Sequence, residues 1–411
     1  MTYEIVNGEC QETMCGMDEN SVDAIVCDPP YALAFMGNDW DSYGGGGGNE
    51  SASERREKSH DYASENPGAP RYGNSHGHAP RRDENVAFQE QMTPIFAQAL
   101  RVAKPGAHLL AFGSPRTFHR LFCAIEDAGW IVKDCVSWNY SSGFPKGLNV
   151  SKSVEALTGN ADDVERWQGW NTQIKPAWEP ICLAYKPLDG TVARNVMKWG
   201  VGALNIDACR VPTDQPPGRF PANFVHDGSD EVRECFPDAK GQQGDLRAGI
   251  PKRKGVCYGD FPPTNEHLKR DEPDANAARF FPNMRDGEES ADRTYGDRGV
   301  TDFDLKPGMR REPPESYDRF FYCAKASKSD RGSFNTHSTV KPTALMQWLV
   351  RLVCPKDGVV LDPFCGSGST GVACMREQMR FVGIDQEPEY CEMAERRIRE
   401  ECERGVQLNL F

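Results

Sequence analysis

Two short segments of this chain combine residue types and spacing that could do chemistry. The first is Asp362-Pro-Phe-Cys-Gly-Ser-Gly-Ser-Thr370, set between an apolar strand-like run and a helix-like stretch. Its glycines let backbone approach a ligand closely, at what would be a helix N-terminus. The next apolar run ends in Gly383-Ile-Asp385, an acid about twenty residues on and suited to a pair of ribose hydroxyls. No Gly-Lys-Ser/Thr follows the turn, which argues against a Walker loop and triphosphate hydrolysis. The dinucleotide signature is met only in part, by Gly366, Gly368 and Gly371. The second segment, Asp28-Pro-Pro-Tyr31, closes the apolar run Asp23-Ala-Ile-Val-Cys27. That places a carboxylate and a phenol at the carboxyl end of a strand, the edge where open α/β sheets gather ligands. Asp-Pro-Pro also suits a plain strand-ending turn, and the tetrapeptide alone leaves both readings open.

The elements that must position these segments follow from periodicity. Phe88, Met92, Ile95, Phe96, Ala99 and Leu100 recur at helical spacing, and Lys104-Pro-Gly106 ends that helix near Ala103. A strand over 107–112, a helix over 116–128 and strands over 130–138 and 178–186 follow. After a long gap come a helix over 343–353 with Leu345, Trp348, Leu349 and Leu352 on one face, and a strand over 359–362. The glycine-rich turn leads into a further helix, then a strand over 380–385 and a helix over about 388–403. Strand–helix alternation of this kind predicts an α/β sheet. Two stretches break the pattern. Residues 44–82 open with Gly44 to Gly48 and continue in polar residues, the composition of a mobile loop. Residues 188–320 are rich in Pro, Gly and charge and read as an inserted, loop-rich module lying off the sheet.

Composition narrows the class. The 411 residues carry a net charge of −13, which disfavours a non-specific polyanion binder while leaving room for a local basic face. Basic candidates for one are Arg247, Lys252, Arg253 and Lys254, then Arg310 and Arg311, then Lys325, Lys328 and Arg331; a solvated loop surface explains them equally. The 15 cysteines form no Cys-x-x-Cys pair, so no metal site is expected, and Cys27, Cys123 and Cys374 read as reduced core thiols. No apolar run approaches the ~18 residues of a membrane span, and a soluble, cytoplasmic chain is expected.

Asp28-Pro-Pro-Tyr31, Thr339-Val-Lys-Pro342 and Asp362-Pro-Phe-Cys-Gly-Ser-Gly-Ser-Thr370, in that order, resemble the amino-methylating DNA methyltransferases. They resemble specifically the group whose catalytic motif precedes its cofactor motif. The likeness covers roughly residues 4–40, 86–187 and 320–400. It implies a doubly wound, mostly parallel, Rossmann-like sheet with a catalytic half over 1–187, a target-recognition region over 188–320 and a cofactor half over 321–411. It implies S-adenosylmethionine as cofactor and no metal. The catalytic residues would be Asp28, Pro29, Pro30 and Tyr31. The cofactor residues would be Glu9, Lys341, Asp362, Phe364, Gly366, Ser367, Gly368, Ser369, Thr370 and Asp385. Among these, Glu9 stands where the family usually has an Asp near the cofactor adenine, and Lys341 lies in the segment near the methionine end. His337-Ser-Thr-Val-Lys-Pro departs from the commoner His-Pro-Thr-x-Lys-Pro, with little consequence expected.

The implied reaction is methyl transfer to an exocyclic amino group, whose lone pair is delocalised into the ring. The Asp28 carboxylate and the Pro29 carbonyl would accept its hydrogens and aim the lone pair at the methyl, with Pro30 stiffening the turn and Tyr31 stacking on the base. The base would first have to flip out of double-stranded DNA. Asp at the first motif position leans toward adenine N6, with cytosine N4 as the alternative. Cytosine C5 chemistry is set aside because no Pro-Cys dipeptide occurs. RNA and protein-glutamine methyltransferases usually carry Asn-Pro-Pro-Tyr after the cofactor motif, the reverse of the order here. A silent DNA-binding protein on the same fold is the alternative outside enzymes. Dimers and companion restriction endonucleases occur in the family, so a second copy of the chain and an endonuclease join DNA as implied partners.

Overall fold

The computed structural model describes residues 2–32, 82–140, 147–211, 218–227 and 339–408, with short pieces between 232 and 337. All of the expected mobile loop except Arg82, and most of the expected recognition region beyond 227, lie outside the described residues.

An eight-stranded sheet organises the fold. Its members are β1 (Tyr3–Asn7), β2 (Val22–Cys27), β3 (Ala103–Phe112), β4 (Ile131–Asn139), β5 (Trp178–Tyr185), β6 (Phe224–His226), β9 (Val359–Asp362) and β10 (Arg380–Asp385). Between them, β7 (Asp238–Ala239) and β8 (Ala275–Asn276) form a separate antiparallel ribbon. The sheet order is β1-β10-β9-β2-β3-β5-β4-β6, and β5 alone runs against its neighbours. The sheet is therefore mostly parallel, as expected. The segment VDAIVC of β2 is buried along its whole length, as a central parallel strand covered on both faces must be.

Helices α1 (Cys10–Cys15), α2 (Arg82–Val102), α3 (Phe118–Asp127), α7 (Thr343–Val353), α8 (Ser369–Arg376) and α9 (Pro388–Leu408) flank it. Side chains alternate along each strand and so feed two cores. Ala24, Val26, Leu110 and Phe112 join Leu345, Leu349 and Ile398 on one face. Ile25, Cys27, Leu109 and Ala111 join Phe88, Phe96 and Ile125 on the other. On α2, Phe88, Met92, Phe96 and Ala99 are buried, as their spacing predicts. Cys27 and Cys374 are buried thiols, but Cys123 is exposed, because Leu121, Ala124 and Ile125 form the inward face of α3.

The sheet extends further into the chain than its composition suggests. α6 (Val192–Trp199) and the edge strand β6 fall inside the stretch expected to lie off the sheet. β6 pairs in parallel with β4, and Asn195 of α6 is wholly buried. The Asn195 amide donates to the carbonyls of Pro105 (2.8 Å) and Val201 (2.7 Å) and accepts from the amide of Asp189 (2.8 Å). A polar residue can be interior when all its hydrogen bonds are made, which hydrophobic patterning does not register. Between β4 and β5 the chain leaves the sheet for a pair of short helices with no buried residues, α4 (Val150–Thr158) and α5 (Ala161–Arg166).

The sense of winding reverses across the pair β9–β2: β2 leads on to β3 on one side, and β9 to β10 on the other. The two strands pair in parallel, Ala24 with Val360 and Ile25 with Leu361. Their carboxyl ends therefore lie side by side at the switch point, where open sheets form a crevice. Those ends are Cys27, followed by Asp28, and Asp362.

Candidate active site

On the β2 side, Asp28 projects from the turn and accepts through Oδ2 an ion-paired hydrogen bond from the ammonium of Lys341. The other oxygen, Oδ1, is buried with no hydrogen-bond partner among the described residues. Lys341 is itself buried and also donates to the Tyr31 hydroxyl at 3.1 Å. Its ammonium lies 3.4 Å from Glu179 Oε2 and 4.7 Å from the centre of the Phe112 ring. Tyr31 donates to Glu179 Oε2 (3.1 Å) and Tyr140 donates to Oε1 (3.2 Å). Burial, and then the charges of Asp28 and Glu179, push the Tyr31 phenol well above its ordinary range, so it stays protonated. The backbone carbonyl of Tyr31 is held by the Thr117 hydroxyl at 2.8 Å, which anchors the turn to the start of α3.

On the β9 side, most of the glycine-rich segment is turned inward. Asp362 is buried and accepts from the Thr370 hydroxyl (2.5 Å) and the Phe364 amide (3.0 Å), stapling the turn to α8. Burial raises its carboxyl to about 7, opposed by those two bonds and reinforced by the charges of Asp28 and Asp385. Ser367 and Ser369 are buried against Arg397 of α9, whose guanidinium reaches their hydroxyls at 3.0 and 3.2 Å. A Cβ on Gly368 would fall 2.9 Å from Ala394, so that glycine admits α9 rather than a ligand. Gly366 is different: it holds φ +50°, and a Cβ there would approach His337 Nε2 at 3.2 Å. Its amide donates to Asp385 Oδ2 (2.7 Å), and the Glu387 amide donates to Oδ1 (3.0 Å). Burial raises the Asp385 carboxyl above its ordinary range. The ring of His337 lies edge-on to Tyr390 with centroids 4.4 Å apart, and burial lowers its pKa. Phe364 is half-buried, 6.5 Å from Phe96 between ring centres, against the α2 core.

The expected site residues therefore divide. Asp28, Pro29, Pro30, Tyr31 and Lys341 meet at the end of β2, and Phe364, Gly366 and Asp385 present partly open surface beside the ends of β9 and β10. Asp362, Ser367, Gly368, Ser369 and Thr370 shape that surface from beneath. Lys341, expected at the methionine end of the cofactor, donates its ammonium to Asp28. Glu9 is exposed and spends Oε2 on the amide of Glu12 (2.7 Å) as the N-cap of α1. Glu179, Tyr140, Phe112 and Arg397 were not among the expected residues; none lies in a motif, and a lone Glu in the apolar run WEPICLAY was the one visible sign. Among the described residues no cluster of His, Cys, Asp and Glu could hold a metal, and no helix is long and apolar enough to cross a membrane.

The residues at this edge fit a ligand carrying a sulfonium cation and a ribose. Asp28 and Asp385 bring carboxylates there, whose oxygens can accept further hydrogen bonds, and Gly366 and Asp385 are both only partly buried.

The chain is 29% identical over 197 residues to the type II methyltransferase M.HindIII of Haemophilus influenzae, covering 46% of this chain and 60% of that protein. It is 38% identical over 123 residues to M.Cfr9I of Citrobacter freundii, covering 24% and 41%. It thus spans less than two thirds of the curated relatives it matches. Among solved structures, the M1.HpyAVI–SAM complex aligns with TM-score 0.40 at 15% identity, over 97% of this chain and 99% of that one. The PvuII cytosine-N4-specific DNA methyltransferase aligns with TM-score 0.42 at 12% identity, over 98% and 92%. A family model described as DNA methylase, of N6 and N4 type, matches residues 22–396, from the first residue of β2 into α9, and the chain belongs to that family, whose methyl donor is S-adenosylmethionine.

Proposed function

We propose that this chain transfers a methyl group from S-adenosylmethionine to the N6 amino group of adenine at a specific site in double-stranded DNA, after the base has left the helix. The observation that carries the reading is Asp28 Oδ1, a buried carboxylate oxygen with no partner among the described residues, at the carboxyl end of β2 beside the switch point. A buried acceptor left unsatisfied is costly, and an amino N–H satisfies it. Lys341 holds the other oxygen, which fixes the direction in which Oδ1 faces. The Pro29 carbonyl would take the second amino hydrogen, and Tyr31 would stack on the base.

When bound, the cofactor supplies an electrophilic methyl on sulfur. The protein supplies position: with both hydrogens accepted, the amino lone pair leaves the ring system and faces the methyl in line. Transfer of the methyl to that nitrogen would leave the sulfur as a neutral thioether, and the proton then lost from the cationic amino group would pass by way of Asp28 Oδ1 to solvent. Phe364, Gly366 and Asp385 would hold the cofactor, with the Asp385 carboxylate on the ribose hydroxyls. Asp362, Ser367, Gly368, Ser369 and Thr370 would support them. Target recognition is assigned to the part of 188–320 that follows β6.

The test is to incubate the purified protein with unmethylated DNA and labelled cofactor, then digest the product to nucleosides for mass spectrometry. N6-methyladenine is the expected product. N4-methylcytosine would overturn the choice of base while keeping the amino-methyl chemistry, and C5-methylcytosine or no product would overturn the reading.

A further inference from the structure

Glu179 is 2% exposed, at the start of the one antiparallel strand of the sheet. A buried carboxylate is destabilising unless charge and hydrogen bonds compensate it. Among the described residues Tyr31 from the turn after β2, Tyr140 from just beyond β4, and Lys341 from the stretch before α7 do so. An ammonium has three N–H directions. The Lys341 ammonium donates to Asp28 Oδ2 and the Tyr31 hydroxyl, and its charge lies 3.4 Å from Glu179 Oε2 as an ion pair. Drawn toward the Glu179 charge, the ammonium contacts Asp28 through Oδ2 and leaves Oδ1 unengaged.

We infer that Glu179 is a positioning residue for methyl transfer: through Lys341 and Tyr31 it sets which oxygen of Asp28 faces the target amino group and how the Tyr31 ring stands beside it. The inference rests on the function proposed above. Glu179 does not touch the base or the cofactor in this arrangement. Without its charge, the buried ammonium has Asp28 as its single carboxylate partner in the cluster and can swing toward Oδ1, competing with the amino group. The effect falls on the chemical step and not on cofactor binding, because Asp385 and Gly366 lie at the ends of other strands.

The experiment measures kcat, KM for DNA, cofactor affinity and thermal midpoint for the parent protein, Glu179→Gln, Lys341→Met and the double variant. For Glu179→Gln, kcat should fall about tenfold to a hundredfold, the rate equivalent of one charge-assisted hydrogen bond. KM for DNA and the cofactor Kd should stay within about threefold of the parent. In the Lys341→Met background the same change should cost little more, since the residue it acts through is gone. Parental kcat in Glu179→Gln, or losses that multiply in the double variant, would overturn the inference and leave the proposed function standing. If Glu179→Gln does not fold, Glu179→Asp and Tyr140→Phe decide: reduced kcat at parental cofactor affinity supports the inference, and unchanged kcat in both overturns it. A parent protein that makes no amino-methylated base would remove the proposed function, and this inference with it.

Discussion

Lys341 donates its ammonium to Oδ2 of Asp28, a residue 313 positions earlier in the chain. The bond ties the stretch that opens the cofactor half to the turn that closes β2. The two motifs are thus joined by an ion pair, as well as by the pairing of β9 with β2.

Removing the cation should damage both fold and function. In Lys341→Met, Asp28 and Glu179 face one another with no positive charge between them. Breaking a buried ion pair by removing one partner typically costs about 3–5 kcal/mol; Asp28 keeps some solvent access, so the lower end is expected. Thermal or denaturant unfolding should show that loss, together with a kcat lowered at least as far as in Glu179→Gln and still measurable. A variant with parental stability would mean that the ammonium is better solvated than its 8% exposure implies.

Removing the acceptor should act differently. Asp28→Ala keeps Lys341 paired with Glu179, so folding and cofactor binding should survive while methyl transfer falls by about a hundredfold or more. Tritium transfer from labelled cofactor and calorimetry on the same preparation measure the two quantities. Robust turnover would remove Asp28 from the reaction.

Asp385→Ala should weaken S-adenosylmethionine binding by ~1.5–3 kcal/mol, the usual value of a charged hydrogen bond. Gly366→Val should do at least as much harm, because φ +50° is costly for a β-branched residue and its Cβ would press on His337. Ser369→Ala, on the inward side, should change affinity far less. Equal effects at Ser369 and Asp385 would show that the division between lining and supporting residues is misplaced.

The Asp362 carboxyl, held at about 7 by burial and by neighbouring carboxylates, predicts a pH dependence. The folded protein keeps this proton up to about 7, whereas its ordinary value is 3.8. The group therefore contributes stability below 3.8 that is lost as pH rises through about 7. A cationic ligand favours the ionised form, so S-adenosylmethionine should bind up to about tenfold more tightly at pH 8 than at pH 6. The demethylated product, with uncharged sulfur, should show a smaller change. Calorimetry of both ligands across that range checks it; parallel pH profiles would mean that Asp362 does not sense the sulfonium.

By itself the sequence determined the elements whose residues repeat with a clear period. Helix 343–353 and strands 359–362 and 380–385 match the structure residue for residue, and β2, α3, β4 and β5 match to within a few positions. Both motifs were legible as well, because Pro, Gly and Asp at strand ends mark turns locally. Tertiary structure alone decided what each polar side chain does. Asp362, Ser367 and Thr370 turn inward to bonds within the protein, and Lys341 pairs with Asp28 across the sheet. Glu179 and Asn195 sit in segments without motifs, and their burial is tolerable only because partners distant in sequence satisfy them. Periodicity reports which face of an element is apolar, a property of neighbours along the chain. A buried polar group depends on atoms that meet it only after the sheet has assembled, and no local pattern records them.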